Sequence, residues 1–557
     1  KYSSLIVKHC CQYNPRKKRK NIKKNSKMRI GMDHNEGTSK EDEVKLYIER
    51  DQSSNRPYKI IRNDSVGRYM VATRDIKPGE TVLMEYPLTF GPGNPNEPIC
   101  LGCYTPVLKN QHTECDGCGF PMCSKECSQI LEHKDFECAE MHNMNFRLDS
   151  QNTLKWNGSQ ESVYNAISLM RALVLKKRDP ARWNLIWMHM SHDEARQKDT
   201  FWQKKDAKTL EHIKAMMKIS PEDYDTIKII LGIFLVNDFE ICIPLEGSDE
   251  KSSLIRGIFA LASMPNHSCV SNCYHNFTCR EEGFKMTMKA VVDIKEGDEI
   301  THSYTEPLDP IMRRQSLLKI GKFFQCNCIR CRDPTEMSTY SSALICSKCK
   351  KGNVISKNCK NINSDWECDS CDLTLSPDSV EQVNSKAKSE IEEMDKNPDV
   401  ETHEQFLNKY ATIFHPNHVY MIDRSYVLGK MYGRMEGYEP DSLSDDQFMR
   451  KKELCERVLK VLNVITPGQT RKKGMMMYEL HLPFVIMGNR ALQKGPNGNV
   501  DPQEIKKNLR MGLDYLKKGI KILGEEPSDS FEYKIFVSSQ ESVKQLEEWV
   551  TKIESVI

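Results

Sequence analysis

The sequence predicts a multidomain α+β protein with several structural zinc sites and an all-helical C-terminal region. Three observations lead to this class. The 557 residues exceed the roughly 250 to 300 at which a single hydrophobic core stops growing. Most of the 22 cysteines stand in closely spaced groups. After about residue 375 the cysteines almost vanish, and apolar residues recur at helical spacing.

Composition and charge argue against a membrane-spanning protein. The chain is 38% hydrophobic and 29% charged, as is typical of globular proteins in water. Its longest apolar stretch, Ile229–Val236, is far shorter than the ~18 residues that a membrane-spanning helix needs. The net charge of +3 adds no argument for a nucleic-acid partner.

The first 56 residues predict a disordered basic tail. Its run Arg16–Arg29 has too few apolar residues to order itself. A solvated tail is favoured here over a nuclear-import or nucleic-acid-binding role. The N-terminus has no apolar signal region, so we expect the cysteines to stay reduced and available to metal.

The first cysteine cluster, residues 100–138, has the spacing of zinc ligands. Tetrahedral zinc takes four thiolate or imidazole donors, and a short loop between two cysteines lets both sulfurs reach one ion at about 2.3 Å. Eight donors within 39 residues therefore predict two ions. The donors are Cys100, Cys103, Cys115, Cys118, Cys123, Cys127, His133 and Cys138.

Two further clusters bring the expected number of zinc ions to about four. Cys326, Cys328 and Cys331 supply three donors, and a closed structural shell needs a fourth, for which Cys269 is the candidate. The other cluster has the two-knuckle form of a zinc ribbon, with 18 residues between its pairs. The ribbon ligands are Cys346, Cys349, Cys368 and Cys371. The remaining cysteines are expected to be ordinary thiols: Cys10, Cys11, Cys242, Cys273, Cys279, Cys359 and Cys455.

Four short stretches between residues 57 and 331 carry a second signature. They are Val66–Glu80, Val236–Phe239, Ser263–Cys273 with its Asn-His-Ser-Cys motif at 266–269, and Ile294–Tyr304. Their order, interrupted by the first cysteine cluster, resembles a SET domain split by a MYND zinc finger. The chain is thereby similar to the SET and MYND protein-lysine methyltransferases, and its ribbon and residues 454–481 resemble the arthropod branch of that family.

The resemblance implies roles for single residues. Tyr304 matches the catalytic tyrosine at the mouth of the lysine channel, and Phe324 matches the residue that stacks on the adenine of S-adenosylmethionine. Asn266 and His267 match the residues that hold the methionine and adenine parts of this cofactor, partly through main-chain groups. Further cofactor contacts are implied for Gly67, Arg68 and Asn237.

The resemblance also implies that the donors of the finger interleave. One ion is then held by Cys100, Cys103, Cys123 and Cys127, and the other by Cys115, Cys118, His133 and Cys138. Four residues separate His133 from Cys138, where the family usually has three. Either one looping residue absorbs the difference, or another residue replaces His133 in the shell.

Helical periodicity predicts two all-α regions. Residues 160–240, which include Ile167, Leu173 and Trp183 at helical spacing, predict an insertion that forms one wall of the substrate cleft. The C-terminal region shows no strict 34-residue repeat, so a tetratricopeptide-like array is implied by the resemblance alone. Successive helices are predicted at Asn417–Arg434, Lys451–Ile465, Met475–Leu492, Glu504–Leu523 and Ser538–Ile557.

These predictions divide the chain into segments that follow the order of the family. They are the basic tail 1–56, the N-terminal SET part 57–97, the MYND finger 98–140, the helical SET insertion 141–245, the SET core 246–308, the post-SET segment 309–335, the zinc ribbon 336–374 and the helical C-terminal domain 375–557.

The resemblance implies S-adenosylmethionine-dependent N-methylation of a histone or non-histone lysine. Methyl transfer needs a neutral amine, alignment and the exclusion of water, and the motif at 266–269 together with Tyr304 and Phe324 favours an enzyme. The alternative is a catalytically weak SET and MYND scaffold that binds protein partners and regulates transcription. Tyr69 favours it because the family usually has glycine there, and Lys322 because better-known members have a second channel tyrosine.

The expected partners are proteins. They are a substrate lysine and a proline-containing peptide at the MYND finger. A zinc-dependent nucleic-acid binder is a third interpretation, but no ligand cluster is followed by the base-reading helix of a groove-entering finger. We expect a monomer in the cytoplasm and nucleus, with no direct nucleic-acid or membrane binding.

Overall fold

The computed structural model describes residues 56–64, 66–93, 97–150, 154, 161–221, 223–244, 252–493 and 501–556. The predicted disordered tail, apart from Arg56, lies outside the described residues. The predicted fold class is confirmed, since small sheets and helices alternate up to residue 375 and only helices follow.

Three small sheets form the centre of the N-terminal half. Their orders are β1-β2-β12-β9, β10-β11-β3 and β4-β8-β7. The strands are β1 (Tyr58–Asn63), β2 (Gly67–Ala72), β3 (Thr81–Glu85), β4 (Thr89–Pro92), β5 (Thr113–Glu114), β6 (Pro121–Met122), β7 (Phe239–Pro244), β8 (Ser252–Ile258), β9 (Asn266–His267), β10 (Cys273–Phe277), β11 (Met286–Ala290) and β12 (Glu299–His302).

The finger and the helical insertion pack on these sheets as one core. Phe120 of the finger, Ile167 of the insertion and Met70 of β2 are fully buried in the same apolar cluster. The helices are α1 (Lys125–Ser128), α2 (Leu131–Lys134) and α3 (Glu137–Asn143) in the finger, and α4 (Glu161–Arg178), α5 (Pro180–Trp187), α6 (Asp193–Gln197), α7 (Thr200–Met216) and α8 (Asp223–Asn237) in the insertion.

A second core joins the ribbon to the C-terminal helices. Trp366 of the ribbon and Leu454 of the helical region belong to one buried cluster. The elements are α9 (Ile311–Gly321), α10 (Ile329–Arg332), the ribbon strands β13 (Leu344–Ile345), β14 (Asn353–Ser356), β15 (Trp366–Cys368) and β16 (Thr374–Leu375), and the helices α11 (Pro377–Met394), α12 (Val400–Tyr410), α13 (Val419–Met431), α14 (Asp445–Ile465), α15 (Arg471–Gln493), α16 (Pro502–Leu523) and α17 (Phe531–Val556).

The five predicted C-terminal helices are present within a few residues, and α11 and α12 were not predicted individually. The buried face of α11 consists of Val380, Asn384, Ala387 and Ile391, so its apolar period is weak in the sequence. None of the described helices combines the length and the apolar character that crossing a bilayer would require.

Two C-terminal loops dock on the sheet β10-β11-β3. Gly468, between α14 and α15, has a positive φ of 80°, and an added Cβ would lie 1.8 Å from the carbonyl oxygen of Val291. After α16, the Glu525 carboxylate pairs with Lys289 of β11, and its carbonyl accepts a 3.0 Å hydrogen bond from the Asn276 amide of β10. The helical region is therefore held against the sheet by specific polar contacts.

Glu526 lies buried at this junction. Burial raises the pKa of its carboxyl to about 7, and Arg471 opposes the rise while Glu532 adds to it. Because the folded-state pKa lies above the ordinary value, the stability that protonated Glu526 contributes is lost as the pH rises through about 7.

We predict that Glu526→Gln removes this pH dependence. Between pH 5.5 and 8.5 the Tm of the wild type should fall relative to that of the variant, because glutamine stays neutral. The difference should correspond to on the order of 1 to 2 kcal/mol, at about 1.4 kcal/mol per pKa unit. Thermal unfolding measures it, with the exposed Glu548→Gln as the matched control. Parallel curves for wild type and Glu526→Gln would contradict the prediction.

Candidate active site and metal centres

A short parallel strand pair brings two of the predicted motifs together. Asn266 and His267 of β9 lie opposite Thr301 and His302 of β12. Because strand partners lie about 4.8 Å apart, this register places the motif at 266–269 beside the segment that ends in Tyr304.

Tyr304 is held at both its main chain and its hydroxyl. Its backbone N–H donates to Nδ1 of His267 at 2.9 Å, and its hydroxyl donates to the carbonyl oxygen of Pro265 at 2.7 Å. Burial raises the pKa of the Tyr304 hydroxyl, and the Glu299 carboxylate adds to the rise. The hydroxyl therefore stays protonated at neutral pH.

An aromatic surface adjoins the tyrosine. The ring centroid of His267 lies 5.2 Å from that of Tyr304 and 6.0 Å from that of Phe324. Phe324 is 36% exposed. An exposed ring in this position can stack on a flat heterocycle.

Two asparagines, Asn266 in the motif and Asn272 after it, hold the strand pair. The Asn266 amide donates to the Glu299 carboxylate at 2.8 Å. The Asn272 amide donates to the Glu299 carbonyl, and its oxygen accepts the N–H of Thr301, both at 2.8 Å. The Asn272 side chain thus forms two hydrogen bonds to the backbone of β12 that a neighbouring strand would otherwise form. No sequence pattern marks this role, because a single Asn after a motif is usually a turn residue.

Arg68 and Asn237, both predicted to contact the cofactor, hold a loop of the insertion. The Arg68 guanidinium donates to the Met188 carbonyl at 2.5 Å, and the Asn237 amide donates to the Met190 carbonyl at 2.9 Å. The side-chain nitrogens of Arg68 and Asn237 therefore already donate hydrogen bonds to carbonyl groups of the protein. Gly67 has a positive φ of 77°, and the space where a Cβ would stand is open. Main-chain atoms at Gly67 remain approachable by a ligand.

A buried carboxylate that the sequence analysis missed supports the segment before the motif. Glu85, at the end of β3, accepts the backbone N–H groups of Ala260, Leu261 and Ala262 at 2.9 to 3.1 Å. Three amides converging on one carboxylate fix this turn. The signal in the sequence was a single acidic residue within the apolar strand segment Thr81–Glu85.

His302 is a third residue that the sequence did not reveal, and its ring lies next to that of Tyr304. Its ring stacks on Phe239 with centroids 5.4 Å apart, and its centroid is 4.7 Å from that of Tyr304. Among the described residues neither ring nitrogen has a hydrogen-bond partner, and the buried hydroxyl of Thr305 also has none. Burial lowers the pKa of His302 well below its ordinary value, so the ring is neutral.

The Lys322 side chain also lies near the Tyr304 ring. Its Nζ donates to the Val236 carbonyl at 2.7 Å and lies 5.9 Å from the centroid of the Tyr304 ring. Burial lowers the pKa of Lys322, and the Asp238 carboxylate opposes this effect.

The structure brings together each of the four predicted groups of zinc ligands. Within a group all donor atoms lie within 4.8 Å of one another. Bonds of about 2.3 Å in a tetrahedron separate sulfurs by about 3.8 Å, so this spacing fits zinc. The interleaved pairing implied for the finger is the one observed: Cys100, Cys103, Cys123 and Cys127 in one group, and Cys115, Cys118, His133 and Cys138 in the other.

His133 belongs to its group despite the unusual spacing to Cys138. The extra residue is absorbed in the link between α2 and α3, where Phe136 has an irregular backbone conformation. Nδ1 of His133 lies 2.9 Å from the Glu137 carboxylate, which also accepts a 2.7 Å hydrogen bond from Arg171 of α4. A carboxylate behind a histidine orients the ring toward its ion, and here it also ties the finger to the insertion.

Cys269 joins the three post-SET cysteines, as the sequence predicted. Its sulfur lies 3.5 Å from that of Cys331 and 4.0 Å from that of Cys326. Gln315 of α9 supports the group, since its amide oxygen accepts the N–H of Cys326 at 3.0 Å and its amide nitrogen donates to the carbonyl of the same residue. The motif at 266–269 and the post-SET segment therefore meet at one group of thiols.

The four ribbon ligands also come together as predicted. Cys346, Cys349, Cys368 and Cys371 converge, and an added Cβ at Gly352 would lie 2.5 Å from the Cys368 sulfur. In the described part of the chain no such group includes Cys242, Cys273, Cys279, Cys359 or Cys455. Cys10 and Cys11 lie outside the described residues.

We predict that Cys269→Ala removes one zinc ion per chain. Losing one of four donors opens the shell, and the Tm should fall because the ion links the motif to the post-SET segment. Elemental analysis of the purified protein measures the zinc content. The control is Cys273→Ala, which alters a thiol that is equally buried and belongs to no group. Equal zinc content in both variants would contradict the assignment.

The comparisons with known proteins agree with this geometry. A family model described as the SET domain matches residues 67–305. The SET domain-containing protein SmydA-8, isoform B, of Drosophila melanogaster is 28% identical over 423 residues, which is 74% of this chain and 88% of that protein. The histone-lysine N-methyltransferase ASHR1 of Arabidopsis thaliana is 26% identical over 371 residues, 62% of this chain and 70% of that protein.

A SET and MYND domain-containing protein of Dictyostelium discoideum is 39% identical over 89 residues, 15% of this chain and 22% of that protein. The matches thus include an arthropod relative and a protein named for both domains. With its SET segments on either side of a two-centre finger, the chain is similar to the SET and MYND domain-containing proteins.

Proposed function

We propose that the chain is an S-adenosylmethionine-dependent protein-lysine N-methyltransferase that acts on histone or non-histone lysines. The observation that carries the proposal is the anchoring of Tyr304 beside the motif at 266–269, with its hydroxyl fixed on the Pro265 carbonyl at 2.7 Å. The SET family match and the name of the Arabidopsis relative support the same reaction class.

The residues present fit the cofactor. The exposed Phe324 ring offers a stacking face for adenine, and the open space at Gly67 lets a ligand approach the main chain. We assign the remaining contacts to Asn266 and His267 through main-chain groups, and to the backbone near Arg68 and Asn237. When bound, the cofactor supplies a methyl group on a positively charged sulfonium sulfur.

The protein contributes positioning and exclusion of water. Since the Tyr304 hydroxyl donates its proton to Pro265, its oxygen lone pairs remain free to accept an N–H of the substrate amine. A lysine amine must be neutral to react, and the apolar surroundings of Phe239 favour the neutral form. No protein nucleophile is required.

We further propose that the predicted segments are the domains of the protein and that each thiol group holds structural zinc. The finger then offers its surface to a proline-containing peptide of a protein partner. A monomer in the cytoplasm and nucleus is the working assumption for the experiments below.

A second candidate function has a specific observation in its favour. The Nζ of Lys322 lies 5.9 Å from the centre of the Tyr304 ring, where the family resemblance leads us to expect a tyrosine. An ammonium cannot accept a hydrogen bond from a substrate amine. A catalytically weak scaffold that binds protein partners and regulates transcription is therefore the alternative.

We predict that the zinc-loaded protein binds S-adenosylmethionine and that Phe324→Ala weakens binding about tenfold. The loss follows from removing a stacking surface worth about 1 to 2 kcal/mol. Isothermal titration calorimetry measures the Kd. Phe201→Ala, which removes an exposed aromatic ring from α7, is the control and should bind as the wild type does. No measurable binding by the wild type would refute the enzyme and leave the scaffold.

We predict that Tyr304→Phe lowers the rate of methyl transfer at least 100-fold while the Kd for the cofactor changes less than threefold. Only the hydroxyl that orients the amine is lost, an effect of about 3 kcal/mol on the barrier. Transfer of a radiolabelled methyl group to mixed histones measures the rate. The control is Tyr164→Phe, since Tyr164 also donates to a carbonyl, that of Ile99, away from the site. Equal rates for Tyr304→Phe and wild type would contradict this role.

A further inference from the structure

Lys322 is directed into the site by the backbone around it. It follows the last residue of α9, and its N–H donates to the Leu318 carbonyl at 2.9 Å. The next residue, Phe323, has a positive φ of 60° and stacks on His192 with ring centroids 5.0 Å apart. The left-handed conformation of Phe323 turns the chain sharply. The Phe323 ring therefore packs on His192, while the Lys322 side chain reaches the Val236 carbonyl.

The amine of Lys322 is held, but not by an ion pair in the described part of the chain. One N–H donates to the Val236 carbonyl at 2.7 Å, and Nζ lies 5.9 Å from the Tyr304 ring centroid. The adjoining residue after Val236 is Asn237, which we assign to the cofactor site. The amine therefore lies between the proposed cofactor contact and the proposed catalytic tyrosine.

The surroundings favour a reactive amine. The amine donates its hydrogen bond to a single carbonyl, that of Val236, while the Asp238 carboxylate acts on it electrostatically and favours its charged form without outweighing burial. The rings of His302 and His275 nearby are neutral because burial lowers the pKa of both, that of His275 to about 4. Lys322 nevertheless keeps part of its surface accessible, as expected of a group that lines a cleft.

We propose that Lys322 is itself a methyl acceptor, so that the site modifies its own chain in cis. The inference rests on the proposed function, because S-adenosylmethionine must supply the methyl group. The neutral amine forms the new N–CH₃ bond as the S–CH₃ bond breaks. The sulfonium becomes a neutral thioether, and the resulting secondary ammonium releases its proton to solvent. Atoms and charge balance without any further reactant.

This acceptor would also compete with substrates. An amine beside the Tyr304 ring lies where an incoming lysine amine has to be aligned. Lys322 would therefore slow transfer to other proteins for as long as it occupies that place.

The test is mass spectrometry of the full-length zinc-loaded chain after incubation with S-adenosylmethionine that carries a trideuterated methyl group. We expect the labelled methyl on the peptide that contains Lys322, with a first-order rate that does not depend on protein concentration. Lys319, an exposed lysine on the same helix, should stay unlabelled. Tyr304→Phe should lower the labelling at least tenfold. A rate proportional to protein concentration, or equal labelling of both lysines, would overturn the proposal.

The reactivity of the Lys322 amine can also be measured without methyl transfer. Acetic anhydride labelling of the same protein, followed by mass spectrometry, should show Lys322 reacting at a lower pH than Lys319. Lys322→Met should raise the rate of methyl transfer to histones at least threefold, because the competing amine is removed. A Lys322→Met rate at or below that of the wild type would refute the competition.

The outcomes separate this inference from the proposed function. If the protein binds the cofactor and methylates histones while Lys322 stays unlabelled, the inference fails and the function stands. If Lys322 is labelled and no added protein is methylated, the inference stands and the chain is not shown to act on other proteins. If the cofactor does not bind, both fail.

Discussion

The candidate site depends on a parallel strand pair of only two residues on each side, Asn266–His267 with Thr301–His302. So short a pair has too few hydrogen bonds to persist alone. Its neighbours hold it in place: Asn272 pairs with β12 as a strand would, Glu85 fixes the turn before the motif, and the Cys269 sulfur joins the post-SET thiols. The position of Tyr304 follows from these contacts, so the thiol group that includes Cys269 helps to position the tyrosine.

Buried carboxylates connect the parts of the molecule. Glu137 joins His133 of the finger to Arg171 of the insertion, and Glu336 joins Arg314 of α9 to Arg330 of α10. Burying such charges is costly unless they are paired, and removing one partner leaves the other uncompensated, at about 3 to 5 kcal/mol. These pairs therefore contribute specificity of docking more than net stability. They make the finger and the post-SET segment integral parts of the fold.

The residue at position 322 affects what the arrangement around Tyr304 can do. A hydroxyl in its place could both donate and accept, whereas a lysine carries a flexible amine that is either a donor or a nucleophile according to its protonation. The surrounding neutral histidines and the single carbonyl partner favour the second state. The protonation state of the Lys322 amine therefore helps to decide between the enzyme and the scaffold.

The sequence by itself determined the α+β class, the zinc-ligand groups and most C-terminal helices, because ligand spacing and helical periods are local properties of the chain. It did not reveal Glu85, Asn272 or His302, whose partners lie 27 to 177 residues away or, for His302, are rings that no motif links. The side chains of Arg68 and Asn237 hold the insertion loop, which the sequence did not indicate, and the cofactor contacts predicted for these two residues stay predictions. Only the tertiary structure decided these roles, since contacts between distant residues depend on how the sheets, finger and insertion pack.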